Sequence, residues 1–300
     1  YELGFTEPWF LNRKLSLGVD LYRHQANYES SEYNESRTGA RVSLTRALGS
    51  DNLIGGVSYN VEQIGIHLTS SSLPIPTAIS NEAGLHVFQR VGALLAYDTR
   101  NSVRLPNHGQ RTEIDPEFDF GTRDFYKIVA RSAWYFPGVF KGNVLEIGGR
   151  AGVAKSVHGE GDVPFYDRFY LGGLDSLRGF TYRHISPRDP NFIPGTTTNT
   201  MSEPIGGDSF WFGSAEYSVP IIEPENGPSL RLAAFYDVGS VGDGTFTFGG
   251  NFNDNWGVGL RLDIPHLGPL RLDYGIPIHH DRFNSSSAQF QFDVGYTRPF

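Results

Sequence analysis

The feature that most constrains the fold of this chain is a two-residue alternation of apolar and polar side chains that recurs along most of its length. In the segment LRLDYGIPI, Leu270, Leu272 and Tyr274 fall on one face, whereas Arg271 and Asp273 fall on the other. This period indicates a β-strand, because successive strand side chains point to opposite faces. The same alternation recurs at 15–22, 257–264 and 289–296. The sequence therefore predicts an all-β fold, and no segment has a convincing helical period.

Strands with one apolar face occur both in soluble β-sandwiches and in membrane barrels, so the alternation alone does not separate the two folds. The chain has no apolar run of about 18 residues, which excludes a transmembrane helix. Turn residues divide it into roughly thirteen strands, each near the length that a tilted membrane strand requires. The predicted strands cover about 1–8, 14–25, 39–48, 52–66, 84–98, 110–121, 125–137, 143–157, 208–220, 229–241, 255–264, 269–277 and 288–298.

The connections between these strands favour a membrane barrel. Four of them, NRK, GSD, PGVFKG and PHLG, are tight turns, and most of the intervening connections are longer and polar. Short turns at one end and long loops at the other are typical of an outer-membrane barrel with periplasmic turns and extracellular loops. The connections at 99–109 and 121–124 fit this pattern less well.

The number of predicted strands is odd, and this has a consequence for the whole protein. With the long loops outside, the first and the last strand both run toward the periplasm. A closed bacterial barrel normally has an even number of strands, so we expect an odd number of strands to precede Tyr1 in a barrel of about sixteen. Residues 1–300 are thus predicted to be a transmembrane antiparallel β-barrel domain that lacks its first strands.

Composition excludes two other classes of protein. The net charge is -8, and lysine and arginine are scattered along the chain rather than gathered in a basic stripe. The electrostatic pattern of a nucleic-acid-binding protein is therefore missing. The chain contains no cysteine, which excludes disulfides, thiolate metal sites and cysteine nucleophiles.

Three groups of side chains could suggest chemistry, but none has the pattern that an active site or a metal site requires. They are His279-His280-Asp281 in a polar loop, the same-face carboxylates Asp115, Glu117 and Asp119, and Ser176 with Asp175 and His184. The histidines lack the spacing of metal ligands, the carboxylates fit a hydrated barrel wall, and the serine has no nucleophile elbow. We therefore expect no enzyme activity, no metal and no cofactor.

The connection predicted at about 158–207 is too long to be a simple turn, and such loops are usually functional or disordered. Its centre, DRFYLGGLDSLRGF, is aromatic and rich in glycine, unlike a disordered linker. This segment resembles the loop signature of the outer-membrane assembly and translocation barrels. The segments FTEPWFLNRKLSLGVDLY, LDIPHLGPLRLDYGIPI and AQFQFDVGYTRPF resemble an early hairpin, the penultimate hairpin and the closing strand of the same barrels, in the same order.

The resemblance implies that this loop folds back into the lumen and that its arginine pairs with acidic residues of the barrel wall. Carried over by position, the arginine is Arg178 and its partners are Glu216 and Asp237. The alternation agrees independently, because it places both carboxylates on the polar face of their strands. Gly179 lets the backbone turn sharply, and Phe180 is expected to anchor the loop against the wall. Arg178 is thus predicted to act as a latch.

The C-terminal strand is predicted to form a lateral seam. Phe290, Phe292 and the terminal Phe300 resemble the aromatic signal by which outer-membrane barrels are recognised, although lipid-facing aromatic residues have the same pattern. In the resembling family the closing strand bends near a glycine that matches Gly295, and this bend leaves its pairing with the first strand poor. Unpaired strand edges are templates for another strand.

The resemblance implies a bacterial outer-membrane protein that inserts other outer-membrane proteins without covalent chemistry. Its expected partners are unfolded outer-membrane clients, lipoproteins of the assembly machinery and the lipid bilayer, and periplasmic POTRA repeats are expected before Tyr1. Two alternatives remain open. One is a sister barrel that translocates polypeptides or assists autotransporters, and the other is a barrel of a different class, either a passive porin or a barrel enzyme.

Overall fold

The computed structural model describes residues 1–26, 33–69, 75–103, 105–157, 162–188, 203–222, 224, 229–248, 250–264 and 268–294. Within them, thirteen strands form a single antiparallel sheet in which every strand pairs with its neighbours in chain order. The strands are β1 (Glu2–Glu7), β2 (Ser16–Ala26), β3 (Tyr33–Ala47), β4 (Leu53–Leu68), β5 (Gly84–Asp98), β6 (Gly109–Gly121), β7 (Phe125–Pro137), β8 (Val144–Ser156), β9 (Ser209–Ile222), β10 (Ser229–Gly242), β11 (Asn253–Ile264), β12 (Gly268–His279) and β13 (Gln289–Val294).

In the part of the chain that the structure describes, helical structure is limited to short turns. One α-helical turn, α1 (Thr77–Ser80), lies between β4 and β5, and single 3-10 turns lie at Phe10–Asn12 and Phe165–Asp167. Among the described residues, no helix has the length and apolar character needed to cross a membrane. The all-β fold predicted from the alternation is confirmed, and each of the thirteen predicted strands is present.

The predicted boundaries differ most at β3, which begins at Tyr33 rather than near residue 39. The first residues of this strand, YNESRT, have no apolar face, so nothing in their alternation predicts a strand. Tyr33 and Glu35 are nevertheless buried, and the Tyr33 ring packs edge-on against Phe165 at 5.1 Å between centroids. Contacts with a distant segment therefore extend this strand beyond the length that its own sequence predicts.

The two faces of the sheet differ as the alternation predicts. One face, here called the outer face, exposes large apolar side chains from nearly every strand. They include Phe5, Val42, Val57, Val91, Ile114, Trp134, Ile147, Leu232, Val258, Tyr274 and Phe292. The opposite, inner face carries buried polar and charged side chains, among them Glu62, Arg90, Asp119, Glu216, Asp237 and Arg271. An apolar exterior around a charged interior is the distribution that a membrane barrel requires.

Part of the connection between β8 and β9 lies against the inner face. Its described central part, residues 162–188, is here called the central segment. Leu171 and Ile185 close it into a compact loop through a two-way backbone bridge. Apolar residues of this segment pack against strand residues in the main hydrophobic core, which includes Phe88, Phe125, Phe165, Leu177 and Phe180. The core of the protein therefore lies between the sheet and the central segment.

Contacts of the central segment with two distant strands show that the sheet is strongly curved. Arg37 of β3 lies 3.5 Å from Asp167, and Asp273 of β12 lies 3.7 Å from Arg178. In a flat sheet these two strands would be about 43 Å apart, since neighbouring strands are about 4.8 Å apart. The chain between Asp167 and Arg178 turns back on itself, because Gly173 N donates to Phe180 O. The sheet must therefore curve around the segment to contact it from both sides.

Candidate functional site

The candidate site is built around Arg178, which lies at the tip of the central segment. Gly172 and Gly173 both have positive φ angles, of 103° and 91°, which L-residues with a side chain rarely adopt. These two glycines reverse the chain, and Gly172 N donates to Ser176 Oγ at 2.8 Å. The turn directs Arg178 onto the inner face, where its side chain is 0% exposed.

Three acidic or hydroxyl side chains of β9 and β10 accept hydrogen bonds from the Arg178 guanidinium. Nε and Nη2 bind the two oxygens of Asp237 at 2.7 and 2.6 Å. Nη1 donates to Glu216 Oε2 at 2.6 Å, and Nη2 also donates to Ser214 Oγ at 3.2 Å. The pairing with Asp237 is a bidentate fork, the strongest arrangement available to an arginine and a carboxylate.

An aromatic ring completes the surroundings of this guanidinium. The Cζ atom of Arg178 lies 3.4 Å from the centroid of the Phe235 ring, a cation–π arrangement that adds attraction in a desolvated site. The buried charge is therefore compensated on every side by hydrogen bonds and by the ring. Such compensation is needed because an unpaired buried charge costs several kcal/mol.

The carboxylates that bind Arg178 are held in place by further inner-face residues. Asn255 Nδ2 donates to Asp237 Oδ2 at 3.0 Å. Arg261 donates to both oxygens of Glu216, at 3.0 and 2.8 Å, and to Asp273 Oδ1 at 2.7 Å. Each acid thus has its own bracing partners, so the site is formed by four strands, β9 to β12, rather than by one ion pair.

Sequence reasoning named Glu216 and Asp237 but did not include the other members of this network. These are Ser214, Phe235, Asn255, Arg261, Arg271 and Asp273. All of them lie on the inner face, so the two-residue alternation of each strand could have identified them as candidates. Ser214 and Asn255 are the direct cross-strand neighbours of Asp237, which only the register between strands can show.

Gly179 and Phe180 fix the segment to the last strands of the sheet. A Cβ atom on Gly179 would lie 2.7 Å from Asn255 Cβ, so only glycine fits this close approach. Phe180 is buried in the main core, and its carbonyl oxygen accepts a hydrogen bond from Gln291 Nε2 of β13 at 3.3 Å. The tip of the segment therefore contacts the final described strand directly.

The residues predicted to form a lateral seam are only partly described. Phe290 and Phe292 lie on the outer face of β13 and are 66% and 58% exposed. Gly295 and Phe300 lie outside the described residues. Within the described part of the chain, β13 pairs only with β12 and β1 only with β2, so the described sheet ends in two open edges.

The other groups singled out in the sequence are placed as follows. His279 Nδ1 lies 2.9 Å from Asp254 Oδ1 at the end of β12. Among the described residues, no cluster of three or more potential ligands could hold a metal ion. On β6, Asp115 pairs with Arg131 at 2.8 Å and Asp119 with Arg90 at 2.8 Å. These carboxylates belong to ion pairs of the inner wall.

Comparison with known proteins places this geometry in a family. The Omp85 superfamily domain matches residues 1–297. Outer membrane protein assembly factor BamA of Nitratidesulfovibrio vulgaris is 28% identical over 302 residues, which is 97% of this chain and 35% of the relative. A SAM50-like protein of Drosophila melanogaster is 23% identical, over 98% of this chain and 65% of its own length. This chain thus spans only part of each of these relatives.

Solved structures show the same fold. BamA from Haemophilus ducreyi lacking POTRA domains 1–3 superposes with a TM-score of 0.75 at 20% identity, over 97% of this chain and 60% of that structure. CdiB from Acinetobacter baumannii superposes with a TM-score of 0.63 at 15% identity, over 98% of this chain and 49% of that structure. Because the family domain matches almost the entire length of this chain, the chain belongs to the Omp85 superfamily.

Proposed function

We propose that this chain is the membrane barrel of an outer-membrane protein assembly factor of the BamA type. The observation that carries the proposal is the buried Arg178 network, which fixes the central segment to β9–β12 and brings Phe180 against β13. In this arrangement the segment supports the last strand from inside, while the outer face of that strand stays exposed. A strand held in this way is positioned to pair with a client.

The relatives support an assembly role over passive conduction. The relative from Nitratidesulfovibrio vulgaris and one from Neisseria meningitidis are both outer membrane protein assembly factors, and a human relative is a component of a sorting and assembly machinery. All three match at least 97% of this chain. The proposed location is the bacterial outer membrane, and it is supported by the higher identity of the relative from Nitratidesulfovibrio vulgaris compared with the human and Drosophila relatives.

The proposed mechanism is strand addition and needs no covalent step. An edge strand presents unpaired N–H and C=O groups, which bind the terminal strand of an unfolded client by β-augmentation. Each hydrogen bond formed removes polar backbone groups from a membrane in which they would otherwise cost several kcal/mol each. Later hairpins of the client would follow the first strand. The proposed partners are unfolded outer-membrane clients, lipoproteins of an assembly complex and lipid.

A cysteine cross-linking experiment in the full-length protein tests the proposal. Phe290→Cys places a thiol on the outer face of the edge strand β13, and Leu232→Cys places one on the outer face of β10, which is paired on both sides. A client with a cysteine in its terminal strand is added to membranes containing either variant. We expect disulfide cross-links at position 290 and few at position 232.

Two outcomes would contradict the proposal. Equal cross-linking at positions 290 and 232 would mean that the client meets the outer face without strand pairing. Steady ion conductance without any client cross-link would instead identify a passive pore. A sister barrel that translocates polypeptides would release its client on the far side of the membrane rather than leave it in the bilayer.

A further inference from the structure

The central segment has a second charged contact with the sheet, at the opposite end from Arg178. Asp167 is buried, and its side chain is 3% exposed. Arg90 of β5 donates to Asp167 Oδ2 from Nη2 at 2.8 Å, and Nη1 of Arg37 on β3 lies 3.5 Å from Oδ1. Arg37 also donates to the carbonyl oxygen of Tyr166 at 2.8 Å. Two arginines of the wall therefore bind one acidic corner of the segment.

These arginines are themselves fixed by wall carboxylates. Arg37 and Arg90 share Glu62 of β4, each at 3.2 Å, and Arg90 Nε lies 2.8 Å from Asp119 of β6. Arg37 Nε is bound by Glu35 at 2.5 Å. Because carboxylates of the wall hold both guanidinium groups through contacts that do not involve the segment, little side-chain entropy is lost when Asp167 binds.

The contact has the opposite polarity to the Arg178 contact. At Arg178, a cation of the segment binds carboxylates of β9 and β10, whereas at Asp167 an anion of the segment binds cations of β3 and β5. Opposite polarity prevents either end from docking in the place of the other, since like charges would then be buried together. The two contacts therefore define both the position and the direction of the segment.

The electrostatic state of Asp167 agrees with this geometry. Burial alone would raise the pKa of its carboxyl, but the charges of Arg90, Arg37 and Lys127 outweigh burial and lower the pKa to about 2. Asp167 is therefore ionised throughout the physiological range.

We propose that Asp167 is a positioning residue, and that it makes the central segment a brace between the wall formed by β3–β5 and the wall formed by β9–β13. Among the described residues, Asp167 connects the segment by charge to the first wall through Arg37 and Arg90, and the Arg178 end and the Phe180 carbonyl connect it to the second. Loss of Asp167 frees the β9–β13 wall to move relative to β3–β5. The Asp167 contact with the β3–β5 wall thus limits the movement of the β13 edge. The proposed client pairing takes place at this edge, so the inference rests on the proposed function.

Distance measurements between spin labels in the full-length protein test this inference without any client. One label pair joins Val61 of β4 to Phe292 of β13, two exposed outer-face positions on opposite walls. A reference pair joins Leu232 of β10 to Phe292 within one wall. The test variant is Asp167→Asn, which keeps the side-chain shape and removes the charge. The matched control is Asp175→Asn, because Asp175 is an exposed aspartate of the same segment.

We expect Asp167→Asn to broaden and shift the distances between Val61 and Phe292 and to leave the reference pair unchanged. Asp167→Glu retains the charge and should restore part of the original distance distribution. Asp175→Asn should leave both pairs unchanged. If Asp167→Asn does not fold, Arg37→Gln removes the Tyr166 and Asp167 contacts from the wall side, and the same criterion applies to it. Unchanged distances between Val61 and Phe292 in a folded variant would overturn the inference.

This test separates the brace from the proposed function. A protein that inserts no client could still show the shift in distance, which would support the brace and contradict the assembly role. Conversely, client cross-linking at position 290 with unchanged distances in Asp167→Asn would support assembly and reject the brace.

Discussion

Gly179 of the central segment crosses directly over Gly275 of β12, so that a Cβ atom on Gly275 would lie 2.6 Å from Gly179 N. The two backbones meet without side chains between them, next to the buried Arg178. This close crossing brings the guanidinium within reach of its carboxylates, and it depends on glycine at position 275 for space rather than for backbone freedom, because no positive φ occurs there.

We predict that Gly275→Ala destabilises the docked segment, because a methyl group at this position would collide with backbone atoms that cannot rotate away. Overpacking of this kind typically costs about 1–3 kcal/mol. The free energy of unfolding in detergent micelles measures the effect. Gly213→Ala of β9 is the matched control, since its Cβ would meet Val238 Cγ1 at an ordinary 3.7 Å. Equal stability of the two variants would show that the segment does not dock against β12.

Arg178→Lys is predicted to weaken the network although it keeps the positive charge. The lysine ammonium cannot form the bidentate fork with Asp237 while also reaching Glu216, so buried carboxylate oxygens would lose their partners. We expect a loss of about 3–5 kcal/mol in the free energy of unfolding, the range for breaking a buried pair. Arg13→Lys, at an exposed turn between β1 and β2, should change it by less than about 0.5 kcal/mol. An unchanged free energy of unfolding in Arg178→Lys would mean that the positive charge alone holds the segment.

Asp208, which directly precedes β9, is predicted to destabilise the protein at neutral pH. Burial, together with the charges of Asp162 and Asp243, raises the pKa of its carboxyl from 3.8 to about 6, although Arg168 opposes this shift. The folded state therefore holds the proton more tightly than the unfolded state, and stability falls as the pH rises from about 4 to about 6.

Asp208→Asn should remove this penalty. We expect the variant to be more stable than the parent at pH 7, by up to about 3 kcal/mol, and to match the parent near pH 3, where the carboxyl is protonated in both states. Unfolding midpoints measured across this range give the difference, with Asp175→Asn as an exposed control. A stability difference that does not change with pH would show that the effect is one of shape rather than charge.

The sequence was sufficient to predict the faces of the strands but not all of their lengths. Alternation placed Arg271 and Asp273 on the inner face of β12, and both are buried there. It could not predict that β3 begins at Tyr33, because that end of the strand is stabilised by the central segment rather than by an apolar face of its own. The local sequence predicts which face of the strand each side chain occupies, whereas the ends of the strand depend on contacts with segments that are distant in the chain.

The residues of the Arg178 site were likewise predictable only in part. Its two acidic partners were named by resemblance to a family and by parity, and the structure places both within 2.6 Å of the guanidinium. Ser214 and Asn255 were missed because they join through the register of β9, β10 and β11, and register depends on turn geometry and on which face of each strand is buried. Asp167 was missed because its partners lie on strands far from it in the chain.

A charge exchange within the site gives the sharpest test of the latch. Arg178→Glu alone would bury several carboxylates together, so we expect it to abolish heat-modifiable folding and client insertion. Adding Asp237→Arg should restore part of both, because the fork between positions 178 and 237 can form in reverse. Adding Glu216→Arg should restore less, since an arginine at position 216 would lie beside Arg261, which now binds Glu216 through two hydrogen bonds. Equal rescue by the two exchanges would show that the site responds to net charge rather than to the geometry of the fork, and full activity of Arg178→Glu alone would show that the central segment does its work without the latch.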